Sequence, residues 1–383
     1  MIRSGAFPER GYDLLRRVPT GRWPSRTTGL DGSTVSRLES TVPDGRAAYA
    51  LRPSRSRDRS GLDTSLKLWN GLWEHLDGPA DFELRHDGET RLHASVPAAA
   101  ADRFETLMEA FFPACELETV EDATPDFEPG HRVAGARLGL RADYLLPIGN
   151  PVGVSLMETE PYNELVRSMA APPDAGTLVQ VAFEPAPERW CERRVRPLLP
   201  DPGSNLTPLR PTTLTCETVA DAHALDVSEQ ARSVLAGQRG QRAFVASIRV
   251  LAWAADADAA VEATEGVASA LAEAFVEPEL DQGLAATVLL GRELPVHLER
   301  YARRRVVRRR QWLGTGKREP CVLTVPELTA LAHVPSRLRN DQYRLDAPSL
   351  NWVGDWADGT DGTDEGEGAE ESPERRPRSE SRE

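Results

Sequence analysis

The order in which two hydrophobic periodicities alternate constrains this chain more than any single motif. Ala47 to Leu51 reads as a strand, and Leu62, Leu66, Trp69, Trp73 and Leu76 then recur at the spacing of an amphipathic helix. The segments Phe82-Glu83-Leu84 and Leu92-His93-Ala94-Ser95-Val96 alternate at period 2 around Asp87-Gly88. A second helix carries Phe104, Leu107 and Phe111, and a last strand carries Cys115, Leu117 and Thr119. The order is β-α-β-β-α-β, that of a ferredoxin-like module in which two helices cover one face of an antiparallel sheet. Facing Leu84 with Leu92 and Phe82 with Ala94 requires an odd-length connection, so a three-residue turn or a bulge is expected there.

The same order recurs. Leu138 to Leu146 reads as a strand, Pro161 opens a helix bearing Tyr162, Leu165 and Met169, and Leu178 to Phe183 is a second strand. Phe244 to Leu251 is the third strand, followed by a helix with Val261, Ala268, Leu271 and Phe275 and a strand at Ala286 to Leu290. The expected organisation is therefore an α+β protein of two tandem ferredoxin-like modules, residues 45–130 and 131–295, with a Pro-, Thr- and Arg-rich insertion at 185–242 in the second. That insertion is expected to hold one helix near Val227 to Leu235. Residues 1–44 show little periodicity and read as a flexible Arg/Pro/Gly-rich region, 296–352 as an Arg-rich segment plus a capped helix, and 353–383 as a disordered acidic tail.

Charge bears on partners. Acidic residues outnumber basic ones 60 to 46, the net charge is −14, and the only lysines are Lys67 and Lys317. This composition resembles the proteome bias of an extreme halophile. The four cysteines, Cys115, Cys191, Cys216 and Cys321, form no C-x-x-C pair, and no signal peptide or spanning apolar run stands out. The expectation is a cytoplasmic protein, or one held at the inner face of a membrane by another subunit.

No catalytic constellation emerges from the residues. The histidines make no metal-ligand pattern; His86 and His93 flank the first hairpin, but cross-strand polar neighbours are commoner than two-ligand metal sites. Leu313-Gly314-Thr315-Gly316-Lys317-Arg318 lacks both the first glycine and the hydroxyl of a phosphate-binding loop, with Gln311 and Arg318 in those places, and reads as a turn. No nucleophile elbow is present, and no cofactor is expected. The densest candidate surface is Arg300, Arg303, Arg304, Arg305, Arg308, Arg309 and Arg310, with Tyr301 and Trp312 beside it. Such a run can contact nucleic-acid phosphates or an acidic protein surface, and charge density alone does not choose.

Beyond the run, Cys321 to Pro335 has a capping-box spacing at Thr324 and Glu327, Pro326 in the first turn, Leu328 and Leu331 on one face, and Pro335 as a stop. Its Leu-Thr-x-x-Glu-Leu-x-x-Leu-x-His-x-Pro pattern resembles the segment closing the amino-terminal domain of TraG/TraC-like and HerA-like conjugative ATPases. Further blocks follow that domain in order: Phe82-Glu83-Leu84 with Arg91 to Pro97, Phe111 to Ala114 and Glu116 to Asp122; Tyr144 to Ile148 with Pro161 to Met169; Phe244 to Val250; and Ala347 to Trp352. The longer relatives continue into a motor whose phosphate-binding loop has no counterpart here. The resemblance implies a non-catalytic accessory or adaptor subunit of a type IV secretion-like DNA-transfer machine, docking on a separate VirB/TraG/HerA-like hexameric ATPase. Its contact surface would be the arginine run with Leu328 and Leu331 as apolar anchors. The alternative is a plasmid- or virus-encoded DNA-binding protein using the same arginines. Homo-oligomer formation stays open.

Overall fold

The computed structural model describes residues 25–53, 61–121, 124–142, 144–148, 161–191, 236–238, 240–277, 280–307 and 321–335. Its elements begin with β1 (Thr28–Gly29), α1 (Gly32–Glu39), β2 (Arg46–Arg52), α2 (Gly61–Leu72), β3 (Ala80–Asp87), β4 (Glu89–Pro97), α3 (Ala101–Phe111) and β5 (Glu116–Val120). They continue with β6 (Arg132–Leu140), α4 (Pro161–Ala170), β7 (Ala175–Pro185), β8 (Ala243–Ala254), α5 (Ala257–Ala274), β9 (Val276–Glu277), β10 (Gln282–Val288), α6 (Glu293–Ala302), β11 (Cys321–Thr324) and α7 (Val325–Leu331).

The described strands form one antiparallel sheet in the order β5-β2-β4-β3-β7-β8-β6-β10-β9, with β1 added on β6 and β11 on β8. Each half of the path uses its strands alike. Taken by position in the chain, β5-β2-β4-β3 is fourth, first, third, second, and β7-β8-β6-β10 is the reverse. The halves meet where β3 pairs with β7, Glu83 opposite Gln180. The fold is thus mixed α/β on a large antiparallel sheet.

Alternation divides the sheet into two faces. One face carries Tyr49, Leu51, Phe82, Leu92, Val179, Val181, Phe244 and Val250 and packs under α2, α3, α4, α5 and α7 in the main core. Trp69 sits at its centre with edge-on contacts to Phe82 and Phe183, ring centroids 6.3 and 5.0 Å away, and its indole N–H donates to the Ala332 carbonyl at 2.5 Å. A smaller cluster on the opposite face joins Val35 and Leu38 of α1, Val133, Leu178, Leu251, Trp253, and Leu298 and Tyr301 of α6.

The first hairpin has the expected register. Leu84 faces Leu92, Phe82 faces Ala94, and an odd connection turns at Gly88, whose φ of 71° suits glycine. His86 and His93 occupy alternate positions on opposite faces, and His86 meets Thr90 at 2.9 Å instead.

Several expectations need correction. Residues 28–39, within the stretch expected to be flexible, hold β1 and α1; Asp31 caps α1 by accepting from the Thr34 backbone N–H at 2.7 Å, and two buried side chains, Val35 and Leu38, give too short a periodic signal among the flanking Arg and Ser residues. The strand expected at Leu138–Leu146 is β6, which starts at Arg132, because the Ala- and Gly-rich stretch before Leu138 has weak strand propensity yet pairs fully with β8. Cys321 to Thr324, read as the lead-in to a helix, is a strand on β8. The helix expected near Val227–Leu235, the first 24 residues, the Gly314–Lys317 turn, the Ala347–Trp352 block and the acidic tail lie outside the described residues.

Candidate functional site

A polar row crosses the less covered face at right angles to the strands. Its directly paired members are Glu118, Ala50, His93, Glu83, Gln180, Arg249, Arg137 and Thr287. Buried polar groups must find partners, and the middle of the row does so side chain to side chain. Gln180 donates through Nε2 to Glu83 Oε1 at 2.8 Å and accepts at Oε1 from Arg249 at 2.6 Å. Arg85 bonds Glu83 Oε2 through Nε at 2.7 Å and through a terminal nitrogen at 2.5 Å. Two residues before Glu83 on β3, Asp81 accepts from Arg46 at 2.7 Å, and Arg46 also donates to the Ser95 hydroxyl at 2.8 Å.

The chain leaving α6 closes this network. Arg304 N–H donates to the Tyr301 carbonyl at 2.9 Å and Arg305 N–H to the Arg300 carbonyl at 3.0 Å, the paired bonds of a Schellman ending. The left-handed residue of that ending is ordinarily glycine. Here it is Arg304, with φ 52°. Such a backbone costs a bulky residue of order 1–3 kcal/mol and persists only where its surroundings over-determine it. They do: the Arg304 guanidinium pairs with Glu83, lies 3.8 Å from Asp81 and sits 5.1 Å from the centroid of the Tyr301 ring, with 1% of the residue exposed. Arg249 donates its other terminal nitrogen to the Arg305 carbonyl, and Val307 N–H donates to Ser247 Oγ at 3.0 Å. Residues 303–307 are therefore bound to the sheet through backbone and side chain alike.

Burial raises the proton affinity of the Glu83 carboxyl, but the guanidinium of Arg304, then that of Arg85, outweigh it and hold the carboxyl below its usual range. Burial also lowers His93 to about 4, helped by Arg85, and raises the Tyr301 hydroxyl to about 12, helped by Glu83.

The arginines singled out in the sequence divide. Arg304 is a buried structural clamp, so its place on an open docking surface is corrected: two carboxylates on β3 draw it inward. Arg303 and Arg305 are exposed, Arg303 pairing with Glu299 at 2.8 Å, and Arg300 is half-buried. Arg308, Arg309, Arg310 and Trp312 lie outside the described residues. Leu328 and Leu331, expected as outward anchors, are 0% and 3% exposed. The capping box does form, Glu327 also accepts from the Ile148 N–H at 2.8 Å, and with β11 paired to β8 just ahead of the helix both leucines enter this chain's own core. Asp81, Glu83, Gln180 and Arg249 were not expected to matter. Their signal is charged or amide residues at every second position of otherwise apolar strands, as in Asp81-Phe82-Glu83-Leu84-Arg85.

Among the described residues no group of three or more His, Cys, Asp or Glu side chains is placed to hold a metal ion, and no helix is long and apolar enough to cross a membrane. Fold and site together define an α/β protein in which an arginine-carboxylate network pins the segment after α6 to the sheet near the join of its two halves. The chain belongs to the family described as a domain of unknown function (DUF8128), which matches residues 21–344. No curated protein matches it.

Proposed function

We propose that this chain is a non-catalytic accessory or adaptor subunit of a conjugative, type IV secretion-like DNA-transfer machine, docking on a separate hexameric ATPase. One observation carries the reading beyond the sequence resemblance: the clamp at Arg304 holds the end of α6 rigid while leaving Arg303 and Arg305 outside. A preorganised pair of arginines loses little conformational freedom on binding, which suits recognition of an acidic protein surface. The matched strand orders of the two halves support reading them as tandem ferredoxin-like modules, the arrangement the resemblance implies. The protein then works in the cytoplasm or at the inner membrane face, held there by its partners.

The test is co-purification of the full chain with an ATPase encoded beside it. Arg303→Glu combined with Arg305→Glu should abolish the association and leave the circular dichroism spectrum unchanged. Undiminished ATPase association together with lost DNA binding would transfer the reading to a DNA-binding protein. Saturable magnesium-dependent ATP binding by the chain alone would remove the non-catalytic assignment.

A further inference from the structure

The positive charge of the polar row exceeds what its carboxylates balance. Asp81 and Glu83 are met by Arg46, Arg85 and Arg304. Arg249 is left with neutral acceptors alone, the Gln180 amide oxygen and the Arg305 carbonyl, although it is 1% exposed. Among the described residues no carboxylate is within ion-pair distance of it. Asp81 and Glu83 act on it only from beyond ion-pair distance, and a buried cation without a direct ion pair is costly, which is why buried charges are paired or meet a ligand. Its directly opposed neighbour on β6 is Arg137, a second cation, where like charges destabilise a strand pair. Burial, then the charge of Arg300, lowers Arg249 to about 10.

A separate observation falls on the same spot. His297 and Arg300 lie one turn apart on α6, Arg304 follows just beyond the helix end, and the charges of Arg249 and Arg300 both act on His297. Arg304 marks the Glu83 end, and Leu294, close to Gly135 of β6, marks the other. His297 therefore lies toward Arg249 and Arg137. Its Nε2 is buried and has no hydrogen-bond partner, against the general rule for buried polar atoms.

We infer that Arg137, Arg249, Arg300 and His297 form a binding site for a phosphate-class oxyanion, either a free phosphate or one phosphodiester of nucleic acid. The anion supplies a direct counter-charge to the opposed Arg137 and Arg249 of β6 and β8, accepting from guanidinium N–H groups and from the imidazole. The site uses residues other than the exposed Arg303 and Arg305, so it stands or falls separately from ATPase docking.

The test is calorimetric titration of the full chain with inorganic phosphate against chloride at equal ionic strength, alongside anisotropy of a labelled single-stranded oligonucleotide. Saturable phosphate binding is expected, weakened at least tenfold, about 1.4 kcal/mol, by Arg137→Gln. Arg137 is only partly exposed and makes no ion pair among the described residues, so that variant should fold. His297→Phe should weaken binding as well while keeping the ring volume, and Arg303→Glu should not. If the oligonucleotide competes with phosphate, the source is a nucleic-acid backbone; if phosphate binds and the oligonucleotide does not, it is a free phosphate. Phosphate behaving as chloride does, or binding unchanged in both Arg137→Gln and His297→Phe, would overturn the site.

Discussion

The two faces of the sheet solve the same burial problem by different physics. Under α2, α3, α4, α5 and α7, apolar side chains from all these helices and from both halves of the sheet interlock, and the strength of that face is spread over many contacts. On the other face a few charged side chains hold Arg304 and the chain after α6. Apolar burial is non-directional and tolerates adjustment, whereas the ionic face depends on each partner being in place. The difference teaches where binding can evolve: a charged network can leave cations in excess, and a hydrocarbon core has nothing comparable to offer a ligand.

The largest expected effect tests the apolar face. Trp69→Ala removes a fully buried indole, its contacts with Phe82 and Phe183 and its bond to Ala332, and should cost about 3–5 kcal/mol by urea denaturation. Arg304→Met should cost nearly as much, about 3 kcal/mol at the lower end for breaking a buried pair, because Arg46 and Arg85 still balance Asp81 and Glu83. Pairing it with Glu83→Gln sharpens the contrast. The double variant should lose less than the sum of the singles by about 0.5–3 kcal/mol, the coupling that residues in one network show. Strict additivity would mean that the ionic face is no more cooperative than the apolar one.

Gly176→Ala probes where the second face is apolar. An added Cβ would fall 2.1 Å from the Trp253 ring, so a loss of about 1–3 kcal/mol is expected in the same assay.

Acid should loosen the ionic face first. His93 is lowered in the fold from 6.5 to about 4, so the unfolded chain takes up the proton first. The stability this represents is complete above pH 6.5 and lost as pH falls to about 4. His93→Gln should flatten that part of the stability-pH curve by about one proton. Glu83 acts in the same direction at lower pH. Held below its ordinary 4.5 by Arg304 and Arg85, it loses its contribution only as pH drops beneath that value. The smallest effect belongs at the exposed edge, where Arg52→Ala breaks pairs with Glu116 and Glu118 and should change stability by less than about 1 kcal/mol.

Much of the apolar face was legible in the residues. Period-2 segments at Phe82–Leu84 and Phe244–Leu251 and helical spacing at Trp69, Phe104 and Leu271 report local geometry, because side-chain direction in strands and helices repeats within a few residues. The hairpin register could be derived from which apolar residues had to share a face, and the Thr324–Glu327 cap from a four-residue pattern. Arg304 was visible only as one of a run of arginines.

Tertiary structure alone decided what that run does. Glu83 and Arg304 are 221 residues apart in the chain, and nothing local to either announces the other. Leu328 and Leu331 read as outward anchors, whereas the pairing of β11 with β8 and the Glu327 bond to Ile148, 179 residues away, accompany a helix whose leucines lie in the core. The sequence by itself determined most of the strands and helices and the charges they carry, though not β1, α1 or β11, since the former follow from backbone sterics and short-range periodicity. Which charges are buried together, and which remain for a ligand, depended on long-range strand pairing and on one left-handed residue after α6, where burial makes each missing counter-charge matter.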